Sequence, residues 1–247
     1  MNVYWLEHAK QDVPEDNDWL SKDEADFLKG LRFPNRRDDW RLGRWTAKHA
    51  LSVFLNVPAH PLVFAKMDVH AASSGAPEVF FRKRPVAATI SLSHRAGLAA
   101  CTVAMAGVEM GCDLEVAEPW SDAFVADYFT LEEQALVART SATDRDRLLA
   151  LLWSAKESAL KALGAGLRLD TRCVVVHPFP SSHDCDGWSR LMVRYSGAQG
   201  SGGRVFYGWW QHAHNWLRTI VATPAPNSPI YLAVPPHDLD SACCRCA

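Results

Sequence analysis

The chain has 247 residues, of which 48% are hydrophobic and 22% charged, a composition that excludes a disordered acidic tail and predicts a folded core. Its 26 basic and 28 acidic residues give a net charge of −2, which excludes a global basic surface for non-specific nucleic-acid binding. No apolar run approaches the roughly 20 residues of a spanning helix, and no secretory signal is visible. We therefore expect a cytoplasmic protein. Seven cysteines, an odd number, argue against a disulfide scaffold.

The first half of the chain predicts a helix followed by three short strands. From Asn35 to Leu55, apolar residues recur every three and four positions, as on a helix that packs one face on a core. Three runs rich in Val, Ile and Ala follow, and we expect them to form an antiparallel meander. These runs are Ala87 to Leu92, Leu98 to Met105 and Val108 to Val116.

The second half repeats this order of elements, although no repeated sequence is visible. Thr130 to Glu133 is a capping box, which satisfies free amides at a helix start. A longer helical stretch runs from Asp144 to Leu163 and is ended by Gly164 and Gly166. Five strands are predicted after it: Cys173 to His177, Leu191 to Tyr195, Val205 to Trp210, Leu217 to Ala222 and Ile230 to Val234.

The expected fold class is α+β, in two similar lobes related by a pseudo-twofold axis. Each lobe is expected to be a small antiparallel sheet packed with helices. We place the boundary near Glu118-Pro119-Trp120, which gives an N-terminal lobe of residues 1–117 and a C-terminal lobe of residues 118–247. A C-terminal tail starts at about residue 224 and ends in cysteines whose spacing does not favour a zinc site.

The segment Gly111-Cys112-Asp113-Leu114-Glu115 is the first candidate for chemistry. In a strand, side chains alternate, so Asp113 and Glu115 share one face while Cys112 and Leu114 point to a core. Two neighbouring carboxylates repel each other, which favours a hard cation between them and predicts that replacing Asp113 relieves the repulsion. Two solvated acids on an exposed strand are the alternative.

A second candidate is the helical segment Trp153 to Lys161. Trp153, Glu157 and Lys161 recur at four-residue intervals on one helix face, with Lys156 to one side. A surface Glu–Lys pair is the ordinary explanation of such spacing. Trp153 argues against it, because the indole should turn this face toward protein. A carboxylate flanked by two lysines suits a metal ligand whose neighbours hold phosphate oxygens.

Two further features predict anion binding. Arg37, Arg41, Arg44 and Lys48 are spaced four, three and four residues apart, which predicts a positive ridge on one helix or else a solvated basic face. Ser93-His94 lies at a predicted strand end, where a hydroxyl and an imidazole can converge on a phosphate. A turn-stabilising serine and a surface histidine are the alternative there.

Together these residues resemble the 4′-phosphopantetheinyl transferases, specifically the larger Sfp-type (group II) enzymes with two fused lobes. The family's Gly-x-Asp-x-Glu strand is similar to Gly111 to Glu115, and its Trp/Phe-x-x-Lys-Glu-x-x-x-Lys helix to Trp153 to Lys161. Ser93-His94 resembles the family's phosphate-binding turn. Gly75-Ala76-Pro77 resembles its Gly-Lys-Pro, with Ala76 where many relatives have lysine.

The resemblance implies a reaction and its ligands. A serine hydroxyl of an apo acyl or peptidyl carrier protein would attack the β-phosphorus of coenzyme A, take the phosphopantetheine group and release 3′,5′-ADP. Mg²⁺ would be held by Asp113, Glu115 and Glu157, with Glu157 as the candidate base and Lys161 beside the reacting phosphate. The implied contacts of coenzyme A are Arg44, Gly75, Pro77, Ser93, His94, Lys156 and Lys161.

The resemblance also implies a working monomer that serves secondary-metabolite biosynthesis. Two alternatives remain at this point. A Mg²⁺-dependent phosphohydrolase would use the same three acids with water as nucleophile, and a non-catalytic module would bind carrier proteins without needing the acids.

Overall fold

The computed structural model describes residues 1–165, 168–179, 187–197 and 203–233. The expected α+β class is confirmed, because helices pack on several small sheets. The α-helices are α1 Lys22–Gly30, α2 Pro34–Phe54, α3 Pro61–Phe64, α4 Asp122–Tyr128, α5 Leu131–Arg139 and α6 Ala142–Ala162. Gly166, most of the two loops predicted over 180–188 and 196–203, and the tail from residue 234 with its cysteines lie outside the described residues.

The strands form three sheets in the described part of the chain. They are β1 Tyr4–Ala9, β2 Met67–Ala71, β3 Pro77–Phe81, β4 Arg84–Pro85, β5 Ala88–Arg95, β6 Leu98–Met105, β7 Glu109–Val116, β8 Val174–Pro178, β9 Ser189–Tyr195, β10 Arg204–Ala213, β11 Trp216–Thr223 and β12 Ile230–Tyr231. The sheet orders are β12-β1-β6-β5, β7-β11-β10-β9-β8 and β2-β3-β4. None of the described helices is long and apolar enough to span a membrane.

The predicted three-strand meander is wrong in its third strand. β5 and β6 form an antiparallel hairpin, but β7 leaves them and pairs along its whole length with β11, from Glu109 opposite Thr223 to Val116 opposite Trp216. Serine hydroxyls of β5 instead accept the amide hydrogens of Cys112 and Leu114. The side chains of β5 therefore contact β7, whereas the meander predicted a main-chain ladder between β6 and β7. The lobe boundary after residue 117 stays a prediction.

Each of the two long helices carries one copy of a short repeated sequence, although no repeat was expected. α2 contains Trp45-Thr46-Ala47-Lys48 and α6 contains Trp153-Ser154-Ala155-Lys156. Each lysine occupies the same position in its 21-residue helix. The periodicity of the two halves was visible in sequence, but three identical residues and a Thr/Ser pair, separated by about a hundred others, are a weak pattern to detect.

Each of these lysines is fully buried in an equivalent ion pair. Lys48 binds the carboxylate of Glu24, and Lys156 binds that of Glu133 at 2.9 Å. Both glutamates close a capping box at the start of a preceding helix, α1 or α5. Each also accepts an amide hydrogen from the strand that follows, β2 or β8. The two halves of the chain therefore join helix, helix and strand through the same arrangement.

Gly111 marks the closest approach of β7 to α6. A Cβ atom added there would lie 1.9 Å from the carbonyl oxygen of Ser158 and 2.9 Å from the amide nitrogen of Ala162. Both are backbone atoms, so the helix itself would have to move. The glycine is therefore required by packing between the strand and helix that carry the candidate chemistry.

We expect Gly111→Ala to lower the free energy of unfolding by about 1–3 kcal/mol, the usual cost of overpacking. Thermal unfolding followed by circular dichroism measures the loss. Gly43→Ala in α2 is the matched control, because no atom lies within 4 Å of its added Cβ and alanine favours a helix. Equal melting temperatures for Gly111→Ala and the unchanged protein would contradict the close contact.

Candidate functional site

A cavity of about 430 Å³ brings together several of the predicted site residues. Its wall includes Arg44 from α2, Gly75 and Pro77 from the turn before β3, and Lys161 from the end of α6. Gly75 has φ +91°, a backbone conformation that a glycine adopts without strain. Chain segments that are distant in sequence thus meet at one cavity. Its wall carries the cationic side chains of Arg44 from α2 and Lys161 from α6.

Arg44 is the member of the predicted basic ridge that reaches the cavity. Its side chain is 16% exposed, its guanidinium lies 4.9 Å from the centre of the Trp40 ring, and its Nε lies 3.8 Å from Glu24. Burial lowers the pKa of Arg44, and the charge of Glu24 partly opposes this. Since the ordinary pKa of arginine lies far above neutral pH, the guanidinium remains available as a cation for a phosphate.

The expected continuous ridge is wrong because its members serve different purposes. Arg41 donates to backbone carbonyls of the segment Pro14 to Asp16 and holds that loop on α2. Lys48 forms the buried ion pair with Glu24, and Arg37 is exposed to solvent. Their even spacing on the helix therefore reflects three separate roles.

β7 presents Asp113 and Glu115 on one face, as its alternation predicts, and buries Cys112 and Leu114 on the other. The structure differs from the simple pair of repelling acids, because each carboxylate has its own cation. Asp113 Oδ1 lies 2.8 Å from Lys161 Nζ, whereas Glu115 Oε1 lies 2.9 Å from Arg95 Nε. Replacing Asp113 would relieve its repulsion of Glu115 and Glu157 but would also leave Lys161 without its partner, so the expected relief stays a prediction.

The uncompensated carboxylate of this group is Glu157. Its Oε1 is buried and has no hydrogen-bond partner among the described residues. Burial raises the pKa of Glu157, and the negative charges of Asp113 and Glu115 raise it further, while Lys161 opposes them. A buried carboxylate beside two others is the environment in which a cation is most stabilising.

The three predicted metal ligands are close enough to interact electrostatically but are not yet gathered as ligands. Within the described residues, their oxygens do not all lie within 4.8 Å of one another. Asp113 is oriented by Ser93 and Lys161, and Glu115 by Arg95 and the amide of Val116. The donor set of three acids, including one unpartnered oxygen, suits Mg²⁺.

Lys161 connects this carboxylate group to the cavity. Its Nζ donates to Asp113 and, at 2.9 Å, to the backbone carbonyl of Cys112. Burial alone would lower the pKa of Lys161, but the charge of Asp113, with smaller contributions from Cys112 and Glu157, raises it above the ordinary value. The ammonium is therefore held in its charged form at the cavity wall.

Ser93 and His94 are placed differently from the expected phosphate-binding turn. The Ser93 hydroxyl donates to Asp113 at 2.7 Å and accepts the amide of Leu114 at 3.2 Å. Its one hydrogen is therefore used within the protein, and Ser93 orients a carboxylate. His94 is exposed near the end of β5, and neither residue is part of the cavity wall. Contact of His94 with a phosphate stays a prediction.

Lys156 is placed away from any ligand, contrary to the predicted contact with coenzyme A. Its ammonium is fully buried and donates to Glu133 and to the backbone carbonyls of Thr171 and Val174. These contacts use all three of its hydrogens. The lysine next to Glu157 in sequence is thus structural, because a one-residue step on a helix turns it toward the core.

Two features of this region escaped the sequence analysis. Arg95 was expected only as part of a turn, and nothing along the chain connects it to Glu115 or to Glu118, which it also binds. An aromatic cluster also surrounds Trp153, formed by Trp120, Phe124 and Tyr128. Phe124 and Tyr128 have the four-residue spacing of one helix face, which could have revealed the cluster.

The part of the chain that includes β7 and α6 is similar to a known protein family. Residues 109–190 match the family model of the 4′-phosphopantetheinyl transferase superfamily. The 4′-phosphopantetheinyl transferase HetI of Nostoc sp. is 29% identical over 150 residues, which cover 60% of this chain and 61% of that protein. The chain thus matches about three fifths of the length of this curated relative.

Among solved structures, a holo-(acyl-carrier-protein) synthase from Bacillus anthracis str. Ames in complex with CoA (3′,5′-ADP) is similar over 42% of this chain and 94% of its own. It is 20% identical, with a TM-score of 0.36. The sequence match includes Gly111, Asp113, Glu157 and Lys161, the residues that the fold brings to one strand–helix contact. Residues 109–190 of the chain are thus similar to the 4′-phosphopantetheinyl transferase superfamily.

Proposed function

We propose that the chain transfers the 4′-phosphopantetheine group of coenzyme A to a serine of an apo acyl or peptidyl carrier protein and releases 3′,5′-ADP. The observation that carries this proposal is the contact between β7 and α6 at the cavity. There Lys161 lines the wall and binds Asp113, while the unpartnered Glu157 oxygen lies in their electrostatic range. The superfamily match covers the same residues.

In this proposal Asp113, Glu115 and Glu157 would hold Mg²⁺. Bound Mg²⁺ supplies positive charge that stabilises the oxygens of the transferred phosphate. Lys161 lies at the wall where the pyrophosphate would be held and neutralises charge on the departing 3′,5′-ADP. Arg44 binds the 3′-phosphate, with Gly75 and Pro77 beside the nucleotide. We assign removal of the serine proton to Glu157.

We further propose that the protein is an Sfp-type enzyme that works as a monomer. The repeated helix sequence and the two equivalent buried ion pairs support two related halves in one chain. A sedimentation experiment in which only a dimer transfers the group would contradict the monomer.

The test is incubation with coenzyme A, Mg²⁺ and an apo carrier protein, followed by the intact mass of the carrier. We expect the carrier to gain the mass of one phosphopantetheine group and 3′,5′-ADP to appear in equal amount. Hydrolysis of coenzyme A without a gain in carrier mass would favour the phosphohydrolase. Carrier binding without either product would favour the non-catalytic module.

Arg44 gives a specific prediction about substrate binding. We expect Arg44→Ala to raise the KM for coenzyme A by roughly 10- to 100-fold, the value of a charge-assisted hydrogen bond, with a smaller effect on kcat. The 3′-phosphate is remote from the reacting bond, so its contact acts in ground and transition states alike. Initial rates with coenzyme A and dephospho-coenzyme A measure the effect.

Dephospho-coenzyme A lacks the 3′-phosphate and should be nearly insensitive to Arg44→Ala. Arg37→Ala on the same helix is the matched control, because Arg37 is exposed and should leave both substrates unaffected. Equal losses with the two substrates would remove Arg44 from the 3′-phosphate site.

A further inference from the structure

A second group of metal-ligating side chains lies on α1 and β2, outside the carboxylate group of β7 and α6. Asp23 is in the first turn of α1, and Asp68 and His70 are on β2. One ligand atom from each of these three residues lies within 4.8 Å of the other two. The transfer reaction proposed above uses none of them.

The fold brings these three residues together through contacts that are themselves buried. Asp68 and His70 lie two residues apart on β2 and therefore share a face of the strand. The neighbour of Asp23, Glu24, accepts the amide hydrogen of Val69 at 3.1 Å and so fixes the start of α1 against the middle of β2. The geometry is thus held by the backbone of two elements.

Asp68 is the residue that points to a ligand. It is 7% exposed, yet it makes no hydrogen bond or ion pair with the residues that the structure describes. The charge of Lys48 reaches it, but the three hydrogens of Lys48 are taken by Glu24 and the carbonyls of Trp19 and Phe64. Asp68 is thus a largely buried residue whose carboxylate lies at an adjoining groove without a partner of its own among the described residues, and a bound cation would supply that partner.

The other two residues are available to the same cation. Asp23 has Lys83 at 4.0 Å, but both side chains are more than half exposed, and such a surface pair contributes little. His70 packs its ring edge-on against Phe80, with the ring centres 5.7 Å apart, which orients the imidazole. Lys66 and Arg82 line the adjoining groove, and their positive charges repel a cation. A cation is therefore held there only by ligands that lie this close together.

We propose that Asp23, Asp68 and His70 form a binding site for a divalent transition-metal ion such as Zn²⁺. One imidazole and two carboxylates suit a borderline ion better than Mg²⁺, which takes oxygen ligands. His70 and Ala71 also line the main cavity. The bound ion would tie α1 to β2 and fix this part of the cavity wall without taking part in the reaction.

The test is a Zn²⁺ titration of the whole protein with a competing chromophoric chelator, in excess Mg²⁺. We expect His70→Gln to bind one equivalent less than the unchanged protein, and Asp68→Asn to bind that equivalent roughly 100-fold more weakly. In the unchanged protein, the ¹⁵N resonances of the His70 ring should shift in proportion to that equivalent. The ring signal assigns the ion to this site and separates it from ions held by other histidines or cysteines.

His214→Gln is the matched control, because His214 is exposed in the turn after β10 and should leave the number of bound ions unchanged. If Asp68→Asn does not fold, His70→Gln alone decides, since His70 is only half-buried. An unchanged number of bound ions in His70→Gln, or a His70 resonance that does not move with Zn²⁺, would overturn the proposal.

Discussion

Glu157→Gln is expected to lower kcat by about 10²- to 10⁴-fold, the usual contribution of a general base. Glutamine keeps the shape of the side chain and a carbonyl oxygen that can contact Mg²⁺, but it cannot accept the serine proton. Excess Mg²⁺ should therefore fail to restore kcat, and a higher pH should help. Full recovery of kcat at high Mg²⁺ would assign Glu157 to the metal alone.

The same substitution should raise the melting temperature of the protein in a metal chelator. Burial and the charges of Asp113 and Glu115 raise the pKa of Glu157 above its ordinary 4.5, so the folded state favours the protonated form. The stability that this protonation provides is present at low pH and is lost as the pH rises through the raised pKa. At neutral pH the ionised group therefore destabilises the fold, and the neutral glutamine removes this effect.

A melting curve against pH checks the stability part of this prediction. The unchanged protein should lose stability as the pH rises above about 4.5, and Glu157→Gln should lose less. Glu132→Gln on α5 is the matched control, because Glu132 is exposed and its replacement should not change the slope. Identical pH profiles for Glu157→Gln and the unchanged protein would show that burial and the neighbouring charges do not destabilise the ionised form of Glu157.

Lys156→Ala is expected to lower the free energy of unfolding by about 3–5 kcal/mol, because it leaves the buried Glu133 without its cation. Denaturant unfolding measures the loss. The KM for coenzyme A, measured where the variant is still folded, should not change, since the ammonium is enclosed by the protein. A raised KM with unchanged stability would instead restore Lys156 as a ligand of coenzyme A.

Two controls separate the buried pair from a general effect of lysine. Lys29→Ala removes the exposed pair with Asp26 and should change stability by less than about 0.5 kcal/mol. Replacing Lys156 by methionine and Glu133 by glutamine should recover part of the stability lost in Lys156→Ala, because no unpaired charge remains and the glutamine oxygen can still accept the amide hydrogen of Val176. A double variant as unstable as the single one would contradict the ion-pair explanation.

Local periodicity was sufficient to predict most of the long elements. α2, β6, the capping box of α5 and α6 lie where the spacing of apolar residues and the caps predicted them. β1 and β2 were missed, since both are short, and β1 also depends on β6, which is distant in the chain. The pairing of β7 with β11 could not be predicted either, because hydrophobic patterns identify a strand but not its neighbour.

In the site, too, the sequence predicted which residues share a face but not which residues contact each other across the fold. Alternation placed Asp113 and Glu115 on one face, and helical spacing placed Glu157 beside Lys161, as the structure has them. What spacing could not predict was which lysine is buried, since Lys156 and Lys161 are equally plausible from sequence. The hydrogen bond from Ser93 to Asp113 and the ion pair of Arg95 with Glu115 join separate strands, and only the fold brings them together.

The pairing of β7 with β11 has a consequence for how the chain matures during its synthesis. The ribosome releases β7 well before β11, so β7 must wait without its main-chain partner while the intervening residues are made. Until then its free edge is open to pairing with other chains. The serine hydroxyls of β5 cover only the opposite edge, by binding the amides of Cys112 and Leu114, and they can do so early because β5 has already been made. A fragment that stops shortly after β7 should therefore aggregate, and the aggregation should worsen when both serines are replaced by alanine.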